Sequence, residues 1–265
     1  MNTYTKTDQQ LHLLSQILTK ANRTFVAPKA DDSHTNIYFD FLGNRILGRW
    51  IKSSNGNVIL SLNLDNLTFE WLNSSQNTIA SFNAVGRTIV EIEDEISNHL
   101  SEIGLNKDGF TDKLHFEIPE YSFAKKAVES TTAHDLDHWK HFRNMANQAS
   151  SFLLGYLQID GEIRIWPHHF DTGIYVVSEK GMGIGFGLAM EDTLIGAPYF
   201  YMSGYPAQGS IEFNNLPKFS TGKWETSPTW QGAVLPLDEL INISEKLQIE
   251  AVNSYMVKAV NWYLS

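Results

Sequence analysis

The sequence predicts an α+β fold of two packed antiparallel-sheet halves, each flanked by helices. Amphipathic helices, short β-rich runs between them and closely spaced turn residues together favour this class. With 265 residues the chain can form one large core or two modest ones. We divide it into an N-terminal half, 1–130, and a C-terminal half, 131–265. Both halves show the same order of elements, which points to an internal duplication.

The N-terminal half begins with an amphipathic helix over 8–21, in which Asp8 is placed to cap the first turn. Strand-like runs follow at 37–41, 45–51, 57–64, 67–72 and 78–82. Between two of these runs, Asn55-Gly56 is a strong hairpin signal. A second helix is predicted over 90–103, and Gly104 is expected to end it in a left-handed conformation.

The C-terminal half follows an irregular, turn-rich segment, 104–132, that we take as the boundary. A long helix over 135–157 carries an apolar side, and a closing helix covers about 244–264. Strands are predicted at 162–166, 170–178, 181–190, 199–205 and 232–235. A long loop, 206–231, contains Trp224 and Trp230 and is interpreted either as a lid or interaction surface or as an irregular segment filling the core.

Composition excludes several classes of function. The net charge is -10, with 30 acidic against 20 basic residues and no basic cluster, which argues against nucleic-acid and anionic-membrane partners. The chain has no cysteine, so disulfides, thiolate metal sites and a cysteine nucleophile are excluded. No stretch approaches the roughly 18 apolar residues of a membrane span, and the first residues do not resemble a signal peptide. A cytoplasmic location is therefore expected.

Four short motifs mark the C-terminal half. They are Trp166-Pro167-His168-His169-Phe170-Asp171, Gly185-Phe186-Gly187, Ala197-Pro198-Tyr199-Phe200-Tyr201 and Ala233-Val234-Leu235-Pro236. Together they resemble a widespread bacterial family of uncharacterised proteins, in order from about Asn36 to the final helix and most strongly over 163–206. Ala197 departs from the family pattern, which more often has an acidic residue there. This departure weakens any mechanism that needs a carboxylate at that position, and the resemblance implies no established activity.

The first motif contains a candidate catalytic pair. In an extended strand His169 and Asp171 share a face, close enough for the carboxylate to orient the imidazole, whereas His168 lies between aromatic side chains on the other face. Such a pair is half of a general base or of a metal site. A nucleophile in a G-x-S-x-G elbow is missing. The alternative is a buried polar network that only fixes the strand.

Alternating glycines form a second candidate site. Gly181, Gly183, Gly185 and Gly187 leave one face of a strand bare, while the run 199–205 places tyrosines on one of its own faces. If the two strands pair, the tyrosines wall a shallow groove that suits a planar ligand or a sugar. The alternative is that the tyrosine rings themselves cover the glycines. The residues expected to line the pocket are His168, Tyr175, Gly183, Gly185, Tyr199, Tyr201 and Tyr205.

A histidine stripe is the third candidate. His134, His138 and His141 lie at i, i+4 and i+7 of the predicted helix, within a stripe roughly 60° wide. With His169 or Asp171 they form a weak alternative for a zinc, iron or manganese site. Histidines at the edge of an apolar helix face are the more common explanation, so we predict neither a metal nor a cofactor.

Three functions remain open from the sequence. The leading hypothesis is a protein that binds a small molecule in an aromatic and histidine-lined pocket of the C-terminal half. A second is a hydrolase or isomerase that uses His169, oriented by Asp171, as a base, with a metal at His138 and His141 as a variant. A third is an interaction module that dimerises through the loop tryptophans.

Overall fold

The computed structural model describes residues 1–265, which form four α-helices and two six-stranded antiparallel sheets. The α+β prediction, with two sheet halves flanked by helices, is confirmed. The helices are α1 (Asn2–Phe25), α2 (Ile89–His99), α3 (Ala133–Leu157) and α4 (Glu245–Leu264). The long helices are amphipathic or mixed in composition, and none has the length and apolarity needed to cross a membrane.

Most strands follow the predicted order with small shifts in their ends, but the single strand predicted over 45–51 is divided into two by a break at 48–50. The first sheet contains β1 (Tyr38–Asp40), β2 (Arg45–Leu47), β3 (Ile51–Ser53), β4 (Gly56–Asn63), β5 (Thr68–Asn73) and β6 (Thr78–Asn83). The second contains β7 (Arg164–Trp166), β8 (Asp171–Val177), β9 (Met182–Ala189), β10 (Tyr199–Pro206), β11 (Lys223–Thr226) and β12 (Gln231–Pro236).

The chain divides into two compact units. The N-terminal unit comprises Lys6–Lys140 and Ile165–Phe170, and the C-terminal unit comprises Met1–Thr5, His141–Arg164 and Asp171–Ser265. The sequence analysis placed the division between 130 and 131, whereas here it falls within α3. The short segment 165–170, which contains most of the first family motif, belongs to the N-terminal unit.

The N-terminal sheet has the order β1-β2-β4-β5-β6, and β3 pairs with β4. The hairpin predicted at Asn55-Gly56 is confirmed, since Ser53 lies opposite Gly56 and Gly56 has a φ of 121° that favours glycine. Central strand β4 is buried over most of its length. Lys20 of α1 and Glu93 of α2 form a largely buried ion pair with an N–O distance of 2.7 Å.

Two predicted helix ends are wrong. Helix α1 begins at Asn2, so Asp8 is not its cap but an interior residue, only 1 % exposed, that accepts a hydrogen bond from Trp139 Nε1 at 2.7 Å. Helix α2 ends at His99 rather than at 103, and a turn then leads to Gly104, whose φ is 79°. The start of α2 is fixed by a capping box between Thr88 and Glu91.

The C-terminal sheet has the order β11-β12-β10-β9-β8-β7, and two helices of its unit pack on one face. From α4, the hydroxyls of Tyr255 and Tyr263 donate to carbonyl oxygens of β10. From α3, the fully buried Arg143 donates to Thr172 Oγ1 at 2.9 Å. The core of this unit therefore lies between this face and the two helices.

The predicted loop 206–231 contains a short strand that the sequence analysis missed. Lys223–Thr226 form β11, which pairs antiparallel with β12. The ring centroid of Trp224 lies 4.7 Å from that of Trp262 and 5.3 Å from that of Phe219. Its Nε1 donates to Pro217 O at 3.0 Å. These contacts match the interpretation of Trp224 as a packing residue.

Candidate functional site on the tyrosine face

The face of the C-terminal sheet opposite α3 and α4 presents four tyrosines, and we call it the tyrosine face. Strands β9 and β10 are adjacent and antiparallel, with Phe186 opposite Met202 and both side chains fully buried, as the sequence predicts. Because side chains alternate along a strand, the intervening residues point to the other face. The tyrosine face is formed by Tyr175, Tyr199, Tyr201 and Tyr205 together with Gly173, Gly183, Gly185 and Gly187.

The tyrosine rings lie over the glycines. A Cβ atom on Gly183 would lie 2.5 Å from the hydroxyl oxygen of Tyr175, and one on Gly185 would lie 3.3 Å from Cε2 of Tyr205. On Gly187 it would lie 3.1 Å from the hydroxyl oxygen of Tyr201. The sequence left open whether the glycines form an open groove or are covered by the tyrosine rings. The rings cover them. The rings therefore leave no empty groove over Gly183, Gly185 and Gly187.

The buried end of the face is a hydrogen-bonded phenol cluster. Tyr201 donates to Asp171 Oδ2 at 2.8 Å, and Tyr199 donates to Asp192 Oδ2 at 2.7 Å. Burial and the Asp171 charge raise the pKa of Tyr201 well above its ordinary value. Burial and the bond to Asp192 likewise raise the pKa of Tyr199. Both phenols therefore stay protonated and act as donors.

Two buried polar atoms of this face have no hydrogen-bond partner. They are Asp171 Oδ1 and Ser203 Oγ, and Ser203 is only 2 % exposed. Ser203 lies directly opposite Gly185. Unsatisfied buried polar atoms are uncommon in folded proteins, and they are often found where a ligand or water binds.

The other end of the face is open to solvent. Tyr175 is 44 % exposed and Tyr205 is 50 % exposed, although both rings lie against glycine backbone. Their ring centroids are 5.7 Å apart and the ring planes meet at 65°. This pair is the part of the predicted pocket lining that a ligand can reach directly.

The extended conformation expected for the first family motif, which placed His169 and Asp171 on one face, is wrong. Pro167–Phe170 form a turn between β7 and β8, closed by the Phe170 N–H, which donates to Trp166 O at 2.7 Å. Phe170 has a φ of 58°, in the left-handed region. The alternation that placed His169 and Asp171 on one face therefore does not apply. A catalytic role for His169, which is exposed, stays a prediction.

Within the N-terminal unit the motif anchors helix α1. Pro167 O accepts hydrogen bonds from His12 Nε2 and Gln16 Nε2, both at 2.9 Å. The ring of Phe170 stacks on that of His12, with centroids 5.2 Å apart. His168 lies at the edge of this region, with its ring centroid 4.3 Å from that of His169 and 5.7 Å from that of Phe116.

The buried pair of His12 and Tyr121 was not predicted from the sequence. The nitrogen His12 Nδ1 lies 2.6 Å from the Tyr121 hydroxyl oxygen, and His12 is only 1 % exposed. Because a carbonyl can only accept, Nε2 carries a proton, and in the neutral imidazole Nδ1 accepts from Tyr121. Burial raises the pKa of Tyr121, which keeps this donor protonated. No local signal in the sequence points to it, because His12 lies on the side of the first helix opposite the apolar stripe of Leu11, Leu14 and Leu18.

Of the three histidines on α3, two face each other and the third has a different partner. In the N-terminal unit the rings of His134 and His138 lie roughly parallel with centroids 6.5 Å apart. In the C-terminal unit His141 Nε2 donates to Gln248 Oε1 at 2.7 Å. Nowhere in the chain are three or more His, Asp or Glu side chains grouped so that they could hold a metal ion.

No protein-family model matches the chain, and no curated protein or solved structure shows significant similarity to it. The resemblance to a bacterial family therefore stays a prediction, based on the motifs at 166–171 and 198–201. The function has to be inferred from the geometry of the site itself.

Proposed function

We propose that the protein binds a small molecule on the tyrosine face, where a ring of the ligand packs against Tyr175 and Tyr205. The observation that supports this most directly is that two adjacent tyrosines are half-exposed on the sheet face opposite the helices. Aromatic side chains offer a large contact area and a polar tip, so they are frequent in binding sites. The proposal requires no cofactor and keeps the cytoplasmic location expected from the sequence.

The glycines support the proposal because they fix the position of both rings. Tyr175 lies over Gly183 and Tyr205 lies over Gly185, and each ring also touches the other edge to face. A surface tyrosine normally loses side-chain freedom when a ligand binds, which costs about 0.5 to 1.5 kcal/mol. Rings that are already held against the backbone lose less, so they form a prepared contact surface.

Ring resonances of selectively labelled tyrosines provide a direct test. The probes are a library of single-ring aromatic fragments and neutral mono- and oligosaccharides, titrated into the full chain. We expect at least one probe to shift the resonances of Tyr175 and Tyr205 in a saturable manner. Tyr175→Ala and Tyr205→Ala should each weaken that probe at least tenfold.

Tyr156 supplies the matched control. It lies on α3, is 44 % exposed like Tyr175, and its hydroxyl donates to Asn261 Oδ1. Tyr156→Ala should leave the affinity unchanged. The proposal is wrong if no probe gives a saturable shift at the pair, or if Tyr156→Ala weakens binding as much as Tyr175→Ala does.

A further inference from the structure

We infer that the ligand of the tyrosine face is an uncharged sugar, as a single ring or a short oligosaccharide. This inference rests on the proposed function and specifies its ligand class. Three features of the exposed pair support it: the angle between the rings, the absence of charge among the strand residues beside them, and the hydroxyl groups at the site.

The angle between the rings argues against a flat ligand. The planes of Tyr175 and Tyr205 meet at 65° with centroids 5.7 Å apart, so the rings form a corner rather than a parallel slot. A planar aromatic ligand that stacks on one of the two rings presents only its thin edge to the other. A pyranose chair is thicker and has C–H bonds on its face and along its edge. It can therefore contact both rings of the corner at once.

The strand residues beside the pair carry no charge. On the same face they are Val177, Gly183, Gly185 and Ser203. The charged residues on edge strand β11, Lys223 and Glu225, pair with each other at 3.4 Å. A charged ligand would leave its solvation shell without gaining an opposite charge from these four residues, which is unfavourable. A neutral ligand meets no such cost.

Hydroxyl groups at the site match the hydroxyls of a sugar. The phenol hydroxyls of Tyr175 and Tyr205 can each donate one hydrogen bond and accept others, and both side chains are about half exposed. Ser203 Oγ is buried without a partner and lies opposite Gly185, the glycine that Tyr205 covers. A sugar hydroxyl is a donor of the kind that this oxygen lacks.

The test compares two classes of probe on the full chain. The sugar probes are cellopentaose, maltopentaose, xylopentaose and chitopentaose, and the planar probes are phenol, indole and benzamide. Binding is followed by tyrosine ring resonances and by calorimetry. We expect at least one pentasaccharide to bind with both rings shifted, and Tyr175→Ala or Tyr205→Ala to weaken it at least tenfold. Tyr175→Phe, which keeps the ring but removes the hydroxyl, should weaken it about two- to fivefold.

The outcomes separate this inference from the proposed function. If planar probes bind the pair and no sugar does, the ligand class is wrong while the binding site stands. If sugars bind but shift only one of the two rings, the corner argument fails. If no probe of either class binds, both proposals fail. Tyr156→Ala again serves as the control and should not change the affinity.

Discussion

Gly173 of β8 lies directly opposite Gly187 of β9, at a point where the two backbones approach too closely for any side chain. A Cβ atom on Gly173 would lie 2.0 Å from the carbonyl oxygen of Phe186 and 2.6 Å from Cα of Gly187. On Gly187 it would lie 2.7 Å from the carbonyl oxygen of Thr172. All three atoms belong to the backbone, which cannot move aside as the end of a flexible side chain can. This close approach of β8 and β9 therefore favours the register in which the tyrosine rings lie over Gly183, Gly185 and Gly187.

We therefore expect Gly173→Ala to lower the free energy of unfolding by about 3 kcal/mol or more, at the upper end for overpacking. Gly185→Ala should cost about 1 kcal/mol or less, because its nearest neighbour is a ring carbon of half-exposed Tyr205 at 3.3 Å, a contact that only a small adjustment relieves. Urea unfolding of both variants measures this ranking. Equal losses would contradict it.

Gly155 provides a control of opposite sign. It lies in α3, and a Cβ atom there would have no neighbour within 4 Å. Alanine is a better helix former than glycine, so Gly155→Ala should raise the free energy of unfolding by about 0.5 to 1 kcal/mol. A loss of stability at Gly155 would contradict this expectation.

The Tyr201–Asp171 bond predicts a dependence of stability on alkaline pH. The pKa of Tyr201 is raised on folding by burial and by Asp171, whereas an unfolded tyrosine has a pKa of about 10. The unfolded chain therefore loses this proton first. The stabilisation is complete below about pH 10 and is lost as the pH rises toward the folded-state pKa.

Tyr201→Phe isolates this effect. At neutral pH the variant should be less stable by about 1 to 3 kcal/mol, because Asp171 loses a hydrogen bond. Above about pH 10 the difference from the unsubstituted protein should shrink, since phenylalanine does not titrate. The free energy of unfolding of both proteins, measured from neutral to alkaline pH, tests this expectation. A difference that stays constant with pH would contradict the proton linkage.

The pair of His12 and Tyr121 gives a third prediction. Tyr121→Phe removes the hydroxyl that donates to His12 Nδ1, a buried acceptor, and should cost about 1 to 3 kcal/mol. Nitrogen NMR should find His12 with its proton on Nε2, the atom that donates to Pro167 O. Tyr156→Phe, at an exposed hydroxyl, is the control and should change stability by less than about 0.5 kcal/mol. A proton on Nδ1 would contradict this assignment.

The glycine strip and the Asn55-Gly56 hairpin were predictable because each follows from short-range rules. Strict alternation of glycine with large apolar residues indicates a strand with one bare face, and Asn-Gly favours a two-residue turn. The turn at Pro167–Phe170 was not predictable, because nothing in the sequence signals a positive φ at a phenylalanine. That conformation accompanies the stacking of Phe170 on His12, a partner distant in sequence.

Long-range packing also explains the errors at α1 and β11. The first turn of α1 contains threonine, tyrosine and asparagine, which are weak helix formers, so the predicted helix began too late. Tyr4 is nevertheless fully buried, and its ring lies edge to face with that of Phe142, 5.9 Å away. Strand β11 has four residues and depends on pairing with β12. Neither the Tyr4–Phe142 contact nor the β11–β12 pairing can be recognised from the local sequence pattern.

The last prediction concerns His141, where a metal site and a structural role give different results. His141 Nε2 donates to Gln248 Oε1 at 2.7 Å, and Gln248 is only 6 % exposed and also donates to Leu240 O. We expect His141→Ala to lower the free energy of unfolding by about 1 to 3 kcal/mol, because a buried amide oxygen loses its donor. The zinc, iron and manganese content of protein purified without a histidine tag should not change.

His134→Ala is the matched control, since His134 is exposed on the same helix and its ring faces His138 rather than a buried amide. It should leave stability within about 0.5 kcal/mol of the unsubstituted protein. Calorimetry and elemental analysis of both variants decide between the two roles. If the unsubstituted protein holds about one equivalent of metal and both His134→Ala and His141→Ala lose it, the two histidines bind the same ion. Removal of either ligand of one site should release that ion. Loss of stability confined to His141→Ala, with unchanged metal content, would assign His141 to the contact between α3 and α4.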